Sequence, residues 1–454
     1  MPALPLSPLP ASGELGLIEL GEEMKEPEPP PLTTTLNTPK AGYTYLGQFI
    51  DHDLTLDLTP LDLARGSDLS RMVNLRNPRL DLEHVYGGGP QAWPFLYECA
   101  TLRTAPRFLI GQTVARSFNG SPYPSSRNDL PRNSDGIALV ADSRADENLI
   151  LAQLHVAFLK LHNAIIDRPE LLDASPYYGN AGSTFEAARR MLTWHYQWVV
   201  RYDGLRQVLD PEVFNRLPEL EAKKGAQNAH FQIPVEFSLG AFRFGHSMVR
   251  EQYFYNEAHP KASLEELLEQ TGGGGAAFAG LPADWVIDWR RFFFVGGGSG
   301  MARHSSAIDT RLVKGMHNLP GSPGMSPHIS VRTMQRGDRV GLPSGQAVAM
   351  FLGVKPLTIE DMLRGDHAAI LRRYGYEKQT PLWYYILMEA ELFGKEKREK
   401  LGPVGSRIVA RVIMDALFND PSSYLSVAPN WTPTLPGPAN PQLFGMANLL
   451  RLIL

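Results

Sequence analysis

The sequence predicts a mainly α-helical protein with few short strands. Apolar residues recur at three- and four-residue steps over long stretches from about Tyr43 onward. Strand signals are few and short. A third sign is polar: Gln48, Asp51, His52 and Thr55 fall on one helical face, while Leu46, Phe49, Ile50 and Leu54 supply apolar packing.

Residues 1–40 are proline-rich, most densely at Glu26-Pro27-Glu28-Pro29-Pro30-Pro31, and are expected to form an extended arm over the surface. The helix through Gly47–Leu56 follows. Asn148 to Ile166 reads as a strong helix, with Leu151, Leu154, Phe158, Leu161 and Ile165 on one stripe. Thr184 to Tyr202 is another, rich in alanine, arginine and aromatics. Leu357 to Arg364, Thr380 to Phe393 and Val404 to Phe418 complete the helical segments. The glycine-rich stretches Gly272–Gly275 and Gly296–Gly300 lack the following lysine and the strand-before-helix context of a phosphate loop, so they read as plain loops.

Bulk properties exclude several functions. At 454 residues the chain has room for one to three domains, and 43% hydrophobic residues suffice for a large core. A net charge of −4 offers no electrostatic case for nucleic acid or an anionic membrane. Cys99 is the only cysteine, so no internal disulfide forms, which suits a reducing compartment. Met1 to Leu20 has neither a basic cluster nor a continuous apolar core, and no stretch reads as a membrane span. The expected location is the cytoplasm, or outside it by a route that leaves no N-terminal signal. No protein partner is expected.

A histidine flanked by two aspartates and preceded by a glutamine is a costly polar set for a helix, because buried polar groups must find partners. Alone it is equally read as an amphipathic helix with a solvated acidic end. Two further segments decide between these: Asp142-Ser143-Arg144-Ala145-Asp146-Glu147-Asn148, and Gly240-Ala241-Phe242-Arg243-Phe244-Gly245-His246-Ser247-Met248-Val249-Arg250. In this order the three resemble the animal-type heme peroxidase (peroxidase–cyclooxygenase) superfamily. The chain is most similar to its compact bacterial branch and more distantly to myeloperoxidase-type enzymes. The resemblance runs from about Ala41 to about Trp431 and implies one large helical domain over residues 41–454 around an internal heme. The animal enzymes are disulfide-bonded and secreted, and here the single cysteine departs from them.

Cleaving a peroxide O–O bond requires a base that moves a proton between the oxygens, a fixed cation for the developing charge, and a redox centre. By resemblance, His52 is the distal base, Arg144 the distal cation, and Gln48 the contact for distal water or halide. His246 is the proximal iron ligand, beside a glycine, Gly245, that permits close packing. Asp51 and Glu147 match carboxylates that the animal enzymes ester-link to heme b. Asn148 replaces the methionine of a third link, which should be absent. Arg243 or Arg336 is expected to pair with a heme propionate.

The resemblance also implies calcium. Asp53 points about 100° around the helix from His52, and the loop Asn77-Pro78-Arg79-Leu80-Asp81-Leu82-Glu83 offers Asn77, the Arg79 carbonyl, Asp81 and Glu83 as oxygen donors. Glu83 departs from the serine of the animal enzymes. Thr333 stands where the family places an asparagine to accept the proximal histidine's second ring proton, so a weaker imidazolate character is expected.

The implied activity is reduction of hydrogen peroxide, through an oxoferryl heme, with oxidation of organic donors or of halide or thiocyanate. One rival is a heme-dependent fatty-acid oxygenase. Such members carry a radical-forming tyrosine where this chain has Arg243, which argues against that reading. A second rival is a non-enzymatic heme- or calcium-binding scaffold, against which the distal pair speaks. His155 and His162, seven apart on one helix, suggest core hydrogen bonds more than a metal site. Cys99 is a poorer heme ligand than His246. The segments Thr380–Tyr385 and Leu401–Gly405 resemble the bacterial branch and indicate structure rather than chemistry.

Overall fold

A computed structural model describes residues 13–28, 37–57, 74–98, 105–179, 181–222, 228, 231–272, 278–296, 302–319, 325–393 and 397–454. Pro29–Pro31, Cys99, Gly273–Gly275 and Gly297–Gly300 lie outside them.

The longer helices are α1 (Gly13–Glu23), α2 (Ala41–Leu54), α3 (Leu149–Ile166), α4 (Thr184–Trp198), α5 (Ile329–Arg339), α6 (Leu382–Leu392) and α7 (Pro403–Phe418). Sheet is confined to three two-stranded antiparallel pairs among the described residues. One of them, Arg116–Phe118 with Ser121–Tyr123, turns through Asn119 and Gly120, both at positive φ. Asn-Gly is the pair that such a tight hairpin turn favours.

Helix α1 differs from expectation. An extended arm was expected across residues 1–40, yet 13–23 are helical and pack on α5. Leu17, Leu20 and Met24 are fully buried there. The contact is close: a Cβ on Gly21 would stand 2.7 Å from Val331 Cγ2. The proline cluster begins only after this apolar stripe ends.

Helix α3 is the central element. Asn148 caps it, its side chain accepting from the Leu151 amide at 2.9 Å. Its apolar residues contact α2 through stacked Phe49 and Phe158 rings, 4.4 Å apart. By length and composition alone α3 could cross a membrane, which corrects the expectation that no segment could. Burial explains the composition, because 83% of the segment lies inside the fold.

Other boundaries moved for local reasons. Helix α4 ends at Trp198 and continues as a π-turn, Val199–Gly204, rather than running regularly to Tyr202. Helix α6 starts after Pro381. Between Leu357 and Arg364 only Ile359–Met362 is helical, capped by a Thr358–Asp361 box. Pro403 opens α7, and the Glu389 carboxylate accepts from the Val404 amide at 2.8 Å. Buried side chains from Leu17 to Leu450 join in one principal core.

Candidate functional site

A cavity of about 1350 Å³ lies between α2, the Asp142–Asn148 turn, the π-turn after α4, the segment around His246 and α5. It is larger than the roughly 300–1,000 Å³ usual for a ligand site. Gln48, Asp51, His52, Arg144, Glu147, Arg243, His246 and Arg336 all line it. The sequence motifs, spread over almost 300 residues, therefore converge on one space. Thr333, Asp53, Asn77, Arg79, Asp81 and Glu83 are not among its lining residues.

Two turns of α2 present Gln48, Asp51, His52 and Thr55 to this cavity, as their spacing requires. Burial, and then the charge of Arg144, hold the His52 imidazole well below its ordinary pKa. It is therefore neutral and carries a free lone pair. Arg144 is anchored rather than mobile. Its Nε donates to Asp142 Oδ1 at 3.0 Å, and its Nη2 to Asp142 Oδ2 at 2.7 Å, to the Thr55 carbonyl at 2.7 Å and to the His52 carbonyl at 3.2 Å. These bonds use Nε and Nη2, and none uses Nη1.

Asp142 was not assigned a role from sequence. Its side chain also takes Arg76 Nη2 at 2.6 Å. Burial opposes its ionisation, but Arg144 and Arg76 hold the carboxyl well below the usual range. The signal was present: an aspartate two residues before an arginine at a helical turn accepts the arginine's own amide, here at 3.0 Å.

The two ester-directed carboxylates sit on the same wall. Asp51 accepts from Thr55 Oγ1 at 3.0 Å, and burial raises its pKa against the pull of Arg243 and Arg144. Glu147 lines the cavity, and burial pushes its carboxyl up to about 7 against the pull of Arg144. Gln48 Nε2 donates to Glu147 at 3.3 Å while Gln48 Oε1 accepts from Asn148 at 3.1 Å, which fixes the amide's orientation.

His246 ends a short 3₁₀ segment, Ala241–His246, that follows a π-turn at Glu236–Gly240. Its Nδ1 is fully buried without a partner, so Nε2 is the nitrogen that faces the cavity. Burial, with Arg243 adding to it, brings the imidazole down to about 3, leaving it neutral. Trp383 supports the segment, its Nε1 donating to the Arg243 carbonyl at 3.0 Å. A Cβ at Gly245 would meet nothing within 4 Å. The close packing that the sequence suggested for Gly245 is therefore absent.

One expectation about the surroundings of His246 is corrected. Thr333 does not accept from His246: Thr333 Oγ1 and His246 Nδ1 are both buried and both unpartnered. A hydroxyl on Cβ falls short of the reach of the asparagine amide it replaces. Arg336 bonds Asp57, and Arg243 Nε donates to the Ser238 carbonyl at 3.0 Å. Both arginines still line the cavity. Sequence reasoning also missed Glu236 and Arg332 on its walls, which no motif flagged.

The calcium-directed residues come together without converging. Asp53 is fully buried, Oδ1 with His84 Nδ1 at 2.9 Å and Oδ2 accepting from the Leu82 amide at 3.1 Å. Asp81 accepts from the Glu83 amide at 3.0 Å, and Glu83 from the Asn77 amide at 3.2 Å. Burial first, and neighbouring carboxylates after it, raise Asp81 to about 8. Among the described residues no group of three or more His, Cys, Asp or Glu is placed to hold a metal. As arranged, the carboxylates of Asp53, Asp81 and Glu83 do not converge on one point. His162 Nδ1 meets the Tyr86 hydroxyl at 3.0 Å, a core hydrogen bond as expected, whereas His155 Nδ1 is buried without a partner.

A helical fold around a wide cavity, with a neutral unpartnered imidazole facing into it, defines a protein built to hold a large metal-bearing cofactor, and the donor set fits heme. The family model described as animal haem peroxidase matches residues 62–412, and the chain belongs to that family. The match begins beyond α2, so Gln48, Asp51 and His52 rest on the geometry above.

Among curated relatives, the chain is 26% identical to peroxidase mlt-7 of Caenorhabditis elegans over 74% of its own length and 45% of the relative's. It is 26% identical to thyroid peroxidase of Canis lupus familiaris over 73% and 36%. The chain thus spans less than half the length of these relatives. Among solved structures it resembles peroxidase A from Dictyostelium discoideum, with a TM-score of 0.57 and 15% identity over 94% of this chain and 86% of that one. The fatty acid alpha-dioxygenase of Oryza sativa gives a TM-score of 0.61 and 14% identity over 98% and 78%. Both likenesses concern the fold alone.

Proposed function

We propose that this protein is a heme peroxidase that reduces hydrogen peroxide while oxidising a small organic donor, a halide or thiocyanate. The observation that carries the reading is one cavity holding a neutral His52, an anchored Arg144 and the cavity-facing Nε2 of His246. Bound heme supplies the redox chemistry that side chains lack. His246 would hold its iron. His52 takes the proton from one peroxide oxygen and returns it to the departing one. Arg144 Nη1 donates to the departing oxygen and stabilises its charge without having to reorganise. Gln48, fixed by Glu147 and Asn148, positions water or halide.

Asp51 and Glu147 are proposed to ester-link the heme. Both line the cavity and neither is committed to an ion pair, so both carboxylates are free to react.

The fatty-acid oxygenase reading is less well supported. Arg243 occupies the position of the needed tyrosine. The two tyrosines on the cavity wall are engaged: Tyr43 donates to Asp203 at 2.8 Å and Tyr45 to the Tyr253 hydroxyl at 2.9 Å.

The test is the absorption spectrum of protein supplied with heme, before and after hydrogen peroxide. A Soret band that shifts with peroxide and returns with a donor supports the reading. Folded protein that takes up no heme overturns it.

A further inference from the structure

Trp198 is the last residue of α4 and stands two residues before Val200, which lines the cavity. Helical side chains two residues apart project to nearly opposite sides, so this indole lies behind the wall by roughly one helix diameter, about 10 Å. From Trp198 a continuous series of rings runs outward. Trp198 and Trp431 have centroids 5.8 Å apart, Trp431 and Trp194 5.4 Å, and Trp194 and Tyr177 5.6 Å. The three tryptophans are buried, whereas Tyr177 is 40% exposed.

The chemistry of this series is uniform. Indole and phenol give up an electron far more readily than the benzene ring of phenylalanine. The cluster beside α2 passes through Phe49 and Phe158, and that around Tyr86 through Phe108 and Phe185. No phenylalanine interrupts the route from Trp198 to Tyr177. Each indole N–H is also held by an oxygen: Trp194 by the Ser422 carbonyl at 2.9 Å, Trp198 by the Pro441 carbonyl at 3.0 Å, Trp431 by the Tyr178 hydroxyl at 3.1 Å. Those bonds fix the rings and stabilise the positive charge of an oxidised indole.

We propose that this series carries oxidising equivalents from the cavity to Tyr177, making Tyr177 a second, surface site of oxidation for phenolic donors too bulky to enter. The proposal rests on the peroxidase reading above, with hydrogen peroxide as the oxidant. Tyr177 loses one electron inward, through Trp194, Trp431 and Trp198 in turn, and releases its phenolic proton to solvent. Each indole is oxidised and then reduced again. A donor phenol at the surface returns one electron and one proton to Tyr177 and leaves as a phenoxyl radical. Two such donors reduce one hydrogen peroxide to two waters.

The experiment uses heme-loaded protein treated with hydrogen peroxide and a nitroso radical trap, with peptides mapped by mass spectrometry and radicals followed by rapid-freeze electron paramagnetic resonance. Turnover is measured in parallel with guaiacol and with a phenol attached to a large polymer. The expected result is a trap adduct on Tyr177 and oxidation of both donors. Tyr177→Phe should lose the adduct and the polymer-bound turnover but keep guaiacol turnover. Trp194→Phe, which leaves Tyr177 in place, should also lose the adduct. An undiminished Tyr177 adduct in Trp194→Phe would overturn the route. So would guaiacol oxidation by the wild type with no adduct on Tyr177. Peroxide that neither shifts the Soret band nor supports guaiacol oxidation would instead defeat the peroxidase reading, and this proposal with it.

Discussion

Arg144 Nη2 donates to the backbone carbonyl of His52 at 3.2 Å. The cation thus takes its position from the same helical turn that carries the base, and any movement of one is shared by the other. Asp142 completes the anchor by holding Nε and Nη2.

The first prediction concerns that anchor. Asp142→Asn removes the charge that balances Arg144 and the buried Arg76. Breaking a buried pair on one side costs about 3 kcal/mol, so urea unfolding should show a clear loss. The rate of reaction with peroxide should fall as well, because Arg144 is released. A variant of wild-type stability would mean that Asp142 is dispensable to the arrangement.

Arg144→Lys tests geometry against charge. Lysine keeps the charge but loses the planar fork that bonds Asp142 and two carbonyls together. We expect a loss of about 100-fold in the stopped-flow rate with hydrogen peroxide. A rate near wild type would show that any cation suffices.

Thr333→Val replaces a buried hydroxyl that has no partner. Removing an unsatisfied polar group with little change of shape should leave the melting temperature unchanged or slightly raised. The Fe(III)/Fe(II) potential of the heme-loaded variant should stay put. A drop in stability together with a shifted potential would show that the hydroxyl bonds His246 after all.

Covalent attachment is checked by extraction into acidified organic solvent. Wild-type protein should retain its heme, and the double variant Asp51→Asn, Glu147→Gln should release it. Complete extraction from the wild type would leave both carboxylates as hydrogen-bonding neighbours only.

Stability should fall on both sides of neutrality. Burial holds His155 and His162 at about 3 and His195 at about 4, against an ordinary 6.5. Below pH 6.5 the unfolded chain takes protons that the fold refuses, so stability is lost progressively as pH falls, by about 2 kcal/mol per histidine near pH 5. Glu389 has the opposite sign. Burial pushes it up to about 8, so its folded form keeps a proton that the unfolded chain has released, and stability declines as pH rises from its ordinary 4.5 towards 8. Urea midpoints across pH 5 to 9 measure both limbs, and Glu389→Gln should flatten the alkaline one. A profile without an acid limb would contradict the buried neutral histidines.

Much of the site was legible in the sequence because helical spacing fixes which side chains share a face. Gln48, Asp51, His52 and Thr55 needed only α2 to be helical to reach one cavity. Arg144, Glu147 and His246 were legible as motifs. What stayed hidden depended on reach and competition between distant groups. The short Thr333 side chain, and the capture of Asp53 by His84 and the Leu82 amide, are decided by tertiary distances that no local pattern encodes. Helix α1 was obscured by the prolines that follow it, although Leu17, Leu20 and Met24 carry helical spacing.

The most direct test of the account is the stopped-flow rate of Soret change on mixing heme-loaded His52→Ala with hydrogen peroxide, compared with wild type. If His52 moves the peroxide proton, the variant slows by a factor of about 100 to 10,000 while heme content and fold are retained. An unchanged rate would contradict His52 as the base and, with it, the reading of this cavity as a peroxidase site.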